Sequence, residues 1–153
     1  MSRLIILVGV ALLAIPVLSF AQPRDKGFGM GAVMGEPTAI NGKVWTGYST
    51  AVDFALAWSQ DNDRDFNTHV DYLFHDYGVF NVTRGKLPLY YGVGGRVKDA
   101  SDARVGLRVP VGLNYLFVRA PLDAFIEVAP VLDVVPETEM DFEAGIGMRF
   151  YFR

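Results

Sequence analysis

The most regular pattern in the chain is the alternation of residue types near its end, from Glu139 to Phe152, which reads EMDFEAGIGMRFYF. Every second residue is apolar, and the positions between them carry charge, glycine or, once, tyrosine. Because successive side chains of a strand point to opposite faces, this segment predicts a strand with one apolar and one polar face. It is longer than a typical strand of roughly 5–6 residues, and it exceeds the roughly 9–11 residues that a tilted strand needs to cross a bilayer.

The same alternation recurs upstream and predicts seven further strands, separated by short polar connections. The predicted strands cover residues 27–35, 38–45, 49–59, 65–82, 87–98, 104–116, 122–134 and 139–152. In the fourth, Gly78 is interpreted as a bulge after which residues 79–82 continue the strand. Pro110 and Pro130 fall inside strands, where each removes a ladder hydrogen bond, so we expect bulges or bends there. An even number of strands with short connections predicts an all-β fold, an eight-stranded antiparallel up-and-down transmembrane β-barrel.

Alternation alone does not decide which face of such a barrel is inside. A soluble lipocalin-like barrel turns its apolar face inward, around a small apolar ligand. Two features favour the inverted, membrane arrangement. The polar face is rich in glycine and in charges of both signs, which could neutralise one another in a narrow interior. Aromatic residues also cluster near strand ends, as in the interfacial girdles of membrane barrels. The residues assigned to these girdles are Phe28, Trp45, Trp58, Phe74, Tyr115, Phe150 and Phe152.

Composition and the start of the chain narrow the class further. The protein has 153 residues, a net charge of −3 and no cysteine, which excludes disulfides, thiol catalysis and cysteine metal sites. This charge balance does not suit a nucleic-acid-binding protein. Residues 1–21 read as a cleaved secretory signal peptide, with Arg3, an apolar run and a Ser19-Phe20-Ala21 cleavage site. Residues 22–153 then form one barrel domain.

The charged residues of the polar face are the strongest candidate constellation. We expect them to form an internal salt-bridge network that fills the barrel, and the alternative is a very narrow gated path for water or small ions. The core of the network is predicted to consist of Arg96, Arg108, Glu127, Glu143 and Arg149.

Metal binding and catalysis are weaker alternatives. His69, Asp71 and His75 share one face of the fourth strand, but spacing supplies no further ligand, and polar packing is the favoured interpretation. Some small outer-membrane barrels modify lipids with a serine, histidine and acid set. Here Ser49, Ser59 and Ser101 lie near loops, without a nucleophile motif. We therefore predict no catalytic residues, no metal and no cofactor.

Several stretches together resemble one known family. They are GEPTAINGKVW (Gly35 to Trp45), YYGVGGRVK (Tyr90 to Lys98), RVGLRVPVGLNYLF (Arg104 to Phe117), EVAPVLDVVPET (Glu127 to Thr138) and the terminal GIGMRFYF. The chain resembles the small bacterial outer-membrane β-barrel proteins of the OmpA/OmpX type, a family of unknown function.

This resemblance implies an eight-stranded barrel in the outer membrane, surrounded by outer-membrane lipid. It also implies insertion by the barrel-assembly machinery, which would recognise a carboxy-terminal assembly signal at Gly147, Phe150 and Phe152. No catalytic residue carries over from the family. The chain departs from the usual signal because Arg153 follows the last aromatic residue.

Overall fold

A computed structural model of the protein describes residues 27–36, 38–58, 66–99 and 103–152. The predicted signal peptide, Arg153 and the side chain of Trp58 lie outside this part. The strands are β1 Phe28–Glu36, β2 Ala39–Trp45, β3 Thr50–Trp58, β4 Phe66–Asp76, β5 Leu89–Asp99, β6 Ala103–Arg108, β7 Val111–Leu116, β8 Leu122–Val135 and β9 Glu139–Phe152. Among the described residues, no helix is long and apolar enough to cross a membrane.

The strands form one antiparallel sheet that closes into a ring. Strands that follow one another in the chain pair with each other, except β6 and β7, and β9 pairs back onto β1 from Phe28 with Phe152 to Glu36 with Ala144. Closure leaves no unpaired sheet edge. The predicted all-β, up-and-down barrel is therefore confirmed.

β6 and β7 share one position in this ring. Both pair with β5 and with β8, and the register runs on without a shift from one to the other. On the β8 side, for example, Arg108 lies opposite Val131 and Val111 lies opposite Val128. The nine strands thus fill eight positions, as the eight predicted strands require, with the sixth interrupted at residues 109–110.

Two prolines explain the interruption. The Gly92 N–H donates to the Pro110 carbonyl at 3.0 Å, and Pro110 has no N–H with which to return the bond. The Val109 N–H likewise donates to the Pro130 carbonyl at 3.0 Å, and Pro130 cannot return it either. One position in each of the two ladders that flank this strand therefore loses one of its two hydrogen bonds. The register does not shift at Pro110, so the expected bulge is absent and the strand is interrupted there instead.

At Pro130 the expected bulge or bend is wrong. β8 continues through this residue from Leu122 to Val135, and its register with β9 does not shift there. The bulge lies further along, where Val105 pairs with Val135 but Gly106 pairs with Asp133. Val134 is the additional residue.

The predicted continuation of the fourth strand through residues 79–82 is also wrong. β4 ends at Asp76, whose carboxylate accepts a hydrogen bond of 2.8 Å from the Gly78 N–H. A side chain that bonds the backbone two residues ahead forms a turn and ends a strand. Residues 77–88 instead form a long connection to β5.

The two faces of the ring differ sharply in chemistry. Side chains that point inward are buried and mostly polar, and only small apolar clusters lie among them. The outward side chains are large, apolar and exposed; examples are Met34, Leu56, Val93, Leu107, Ile126, Phe142 and Ile146. One girdle assignment is wrong: Trp45 is only 1% exposed and packs inside with Ala51 and Tyr151, because it shares its face of β2 with Asn41 and Lys43.

Candidate functional site

Three arginines organise the buried interior, and each joins several strands. Arg96 of β5 bonds both carboxylate oxygens of Asp133 through Nη2, at 2.8 and 2.7 Å. Its Nη1 donates to Asp141 at 3.0 Å and to Glu143 at 2.9 Å. The bidentate fork is the strongest geometry available to a guanidinium and a carboxylate. Arg96 therefore ties β5 to β8 and β9.

Arg108 lies next to this group. Its Nε donates to Glu143 at 2.9 Å, and its two terminal nitrogens donate to Asp71 and Glu127. Glu143 uses one oxygen for Arg96 and the other for Arg108, so it bridges the two guanidinium groups. Four of the five residues predicted for the network are thus in direct contact.

Arg149, the fifth predicted residue, forms a separate group. It contacts Asp123 at 2.9 Å, Asp53 at 2.8 Å and the Asn41 side-chain oxygen at 2.9 Å. Its guanidinium carbon lies 4.0 Å from the centre of the Phe125 ring, a cation–π distance. Four strands, β2, β3, β8 and β9, therefore meet at this one side chain.

His69 lies between the two groups. Its Nε2 is 3.5 Å from Asp53, which belongs to the Arg149 group, and 3.6 Å from Asp71, which belongs to the Arg108 group. The interior therefore holds one continuous chain of charges across the barrel. Arg104 stands outside this chain of charges, since it pairs with the exposed Glu139.

Sequence reasoning missed a second interior feature around Lys43. This lysine is completely buried, and no carboxylate of the described residues lies within ion-pair distance of it. Its ammonium lies 2.8 Å from His75 Nε2, 4.3 Å from the Trp45 ring centre and 5.6 Å from that of Tyr90. The alternation places the Lys43 side chain on the inward face of β2, together with Trp45. His75 and Tyr90 come from β4 and β5, and the alternation of a single strand does not show that they meet Lys43.

The histidines do not assemble as their spacing on one strand suggested. His75 contacts the Ser49 carbonyl at 3.1 Å and Lys43, away from His69. Asp53 takes the place of His75, because ligand atoms of Asp53, His69 and Asp71 lie within 4.8 Å of one another. Both carboxylates already pair with arginines, so the local charge available to attract a metal ion is low.

A small cavity of about 40 Å³ opens inside the barrel, beside the ion pairs. Polar side chains from several strands line it, including Asp53, His69, Arg108 and Glu127. The space exists because Ala55 and Ala57, which also line it, have small side chains. A water molecule needs roughly 10–15 Å³ on this measure, so the cavity can hold a few waters. A drug-sized ligand would not fit, since its pockets measure roughly 300–1,000 Å³.

The serines considered for catalysis give no catalytic arrangement in the described residues. Ser59 and Ser101 lie outside them. Ser49 meets His75 through its backbone carbonyl, which can only accept a hydrogen bond, so His75 Nδ1 donates there. Nε2 is then the acceptor for Lys43, so both ring nitrogens bond groups other than the Ser49 hydroxyl in these two contacts.

Comparison with known proteins gives a structural neighbour. No protein-family model and no curated protein matches the chain. The crystal structure of the N-terminal β-barrel domain of Pseudomonas aeruginosa OprF is similar, with a TM-score of 0.61 and 13% sequence identity. The match covers 82% of this chain and 95% of that domain. At this identity the likeness establishes a shared fold, a closed antiparallel β-barrel of the kind found in that domain.

Proposed function

We propose that the protein is an integral outer-membrane β-barrel with a structural or interaction role and no enzymatic activity. In this proposal its outer face contacts lipid, and ion pairs fill its interior. The observation that carries the proposal is the inverted polarity of the barrel: arginines and carboxylates are buried, while large apolar side chains cover the outside.

Water is an unfavourable solvent for this outer face. Soluble monomers rarely expose continuous apolar patches larger than a few hundred Å². Here exposed apolar side chains occur on the outer face around the ring, including Ile40, Val70, Val93, Leu107 and Ile146. Lipid would remove the cost of exposing them, and a closed ring satisfies the backbone hydrogen bonds that lipid cannot.

The contents of the interior argue against a soluble barrel that binds an apolar ligand. Such a protein needs a larger apolar pocket, whereas the cavity here is about 40 Å³ and is lined in part by charged side chains. The interior also favours a filled barrel over an open pore, because Arg96, Arg108 and Arg149 span it with hydrogen bonds to opposite strands.

Fractionation of cells that express the full chain tests membrane residence. We expect the protein in the outer-membrane pellet, with a gel mobility in detergent that changes on boiling, as for a barrel that stays folded until heated. Release into the soluble periplasmic fraction would contradict the proposal.

Planar-bilayer recording then tests whether the interior is filled. We expect no sustained conductance from the reconstituted protein. A steady open channel would favour the gated-pore alternative. In that case the ion pairs of Arg108 would have to break to open a path through the interior.

A further inference from the structure

The described connections at one end of the barrel are basic. The terminal end, where β1 begins and β9 ends, carries connections 46–49, 77–88 and 117–121. They contain three basic residues and no acidic ones: Arg84, Lys86 and Arg119. At the opposite end, the described connection 136–138 contains the acidic Glu137 and no basic residue.

Two of the basic residues of the terminal end, Arg84 and Lys86, belong to a segment that pairs with the end of β7. The Lys86 N–H donates to the Leu116 carbonyl at 3.2 Å, and the Leu116 N–H donates back to Lys86 at 2.8 Å. The Tyr115 hydroxyl donates to the Arg84 carbonyl at 3.0 Å. Segment 84–86 therefore runs beside the end of β7, from which the chain continues directly into the turn that holds Arg119.

These basic groups are exposed, and no carboxylate of the described residues pairs with them. The Lys86 ammonium lies 5.4 Å from the Tyr48 ring centre and 5.6 Å from that of Tyr77, and the Tyr77 hydroxyl donates to the Tyr48 carbonyl at 3.1 Å. Burial raises the pKa of Tyr77, so this ring stays neutral beneath the lysine. The long connection is thereby held to the β2–β3 turn.

Aromatic and apolar side chains surround the same rim. The outer face near the terminal end carries the pairs Phe28–Phe152 at 6.2 Å, Phe74–Tyr91 at 5.9 Å and Tyr115–Phe117 at 4.8 Å between ring centres. Near the opposite end, Phe66 and Phe142 are the outward aromatic residues among the described side chains. The loop residues Phe80 and Val118 are also exposed at the terminal end.

We infer that the terminal end binds the headgroups of anionic phospholipids. Aromatic rings favour the boundary between lipid and water, and basic side chains beside them attract negatively charged lipid. Arg84 and Arg119 would contact the phosphate and headgroup charge, while Phe80 and Val118 enter the apolar layer. The inference rests on the proposed function, because the rim meets headgroups only if the outer face lies in lipid.

Native mass spectrometry of the full chain in detergent micelles tests this, with phosphatidylglycerol and phosphatidylcholine as probes. We expect tighter binding of phosphatidylglycerol. The double variant R84Q/R119Q should lose about five-fold in this affinity for each charge removed, with phosphatidylcholine binding unchanged. The matched control K98Q/R104Q, which removes two positive charges near the opposite end, should bind phosphatidylglycerol as the wild type does.

Equal affinity for the two lipids, or an equal loss in the control, would overturn the inference. Both results can be obtained from a barrel that is folded and membrane-inserted, so they leave the proposed function intact. Release of the chain in the soluble fraction would overturn the proposed function, and the inference with it.

Discussion

Arg149 shows how much one interior residue holds together. Its guanidinium contacts Asp53 from β3 and Asp123 from β8, and all three side chains are buried. A buried ion pair adds little net stability when compared with apolar packing, but removal of one partner leaves a charge without compensation. The value of Arg149 to stability therefore lies in the two carboxylates that it neutralises.

We predict that Arg149→Met lowers the free energy of unfolding by about 3–5 kcal/mol, because Asp53 and Asp123 lose their cation. Urea titration of the refolded protein in lipid vesicles measures this loss. Lys43→Met is the matched control, since it also replaces a buried cation with methionine but leaves no carboxylate unpaired. A loss for Lys43→Met as large as that for Arg149→Met would show that burial of the cation, rather than its pairing, decides the cost.

The alternation of the sequence was sufficient to assign Arg149 and the other candidate residues to the polar face, but not to pair them. Arg149 and Asp53 are far apart in sequence and meet only because the ring brings β9 and β3 to face each other. The contact of Arg149 with Asn41 and the bridge from Glu143 to two arginines depend on register and on strand tilt. Neither quantity can be read from one strand at a time.

At the scale of elements, β9 is the strand that closes the barrel, and its glycines set how closely it approaches its neighbours. A Cβ atom at Gly147 would lie 2.6 Å from the Phe125 ring and 2.7 Å from the Ala32 carbonyl oxygen. The second contact is with the backbone of β1, which cannot move aside without a change in strand pairing. Gly147 is thus required by packing, in addition to its predicted place in an assembly signal.

We predict that Gly147→Ala lowers the free energy of unfolding by about 1–3 kcal/mol, the usual cost of overpacking a tight interior. Gly95→Ala is the matched control, because a Cβ there meets nothing nearer than the Gly106 carbonyl oxygen at 3.9 Å. Its effect should stay within about 0.5 kcal/mol. Refolding into vesicles without the assembly machinery separates packing from recognition, and equal stabilities of the two variants would refute the packing role.

The strands were predictable because their period of two is strong and their length is large. β9 begins and ends at the predicted residues, and its apolar positions all face outward. The errors lie where backbone chemistry overrides side-chain pattern. The Asp76 carboxylate ends β4 before residues 79–82, and Pro130 remains in β8, whose register with β9 does not shift there.

At the scale of the whole molecule, an outer face in contact with lipid would cross the midplane of the bilayer and both of its interfaces with water. In lipid, an arginine costs roughly 2–4 kcal/mol at the midplane and only about 0–1 kcal/mol near an interface. In water, both positions would be ordinary exposed sites, where substitutions change stability by about 0.5 kcal/mol or less. The depth dependence therefore distinguishes the two environments.

We predict that Ile146→Arg, in the middle of β9, destabilises the barrel in vesicles by about 2–4 kcal/mol. Met140→Arg is the matched control near the end of the same strand, and it should cost about 0–1 kcal/mol. Both residues are exposed to a similar degree, 60% and 61%, so burial cannot account for a difference between them. Equal and small effects would indicate a water-facing surface.

Spin-label accessibility along β9 tests the central claim most directly. The chain has no cysteine, so single cysteines at Phe142, Ala144, Ile146, Met148 and Phe150 can be labelled without background. In reconstituted vesicles, we expect collisions with oxygen, which concentrates in lipid, to exceed collisions with a water-soluble nickel chelate at every site, with a maximum near Ile146. Chelate collisions that dominate at all five sites would place the apolar face in water and contradict the account.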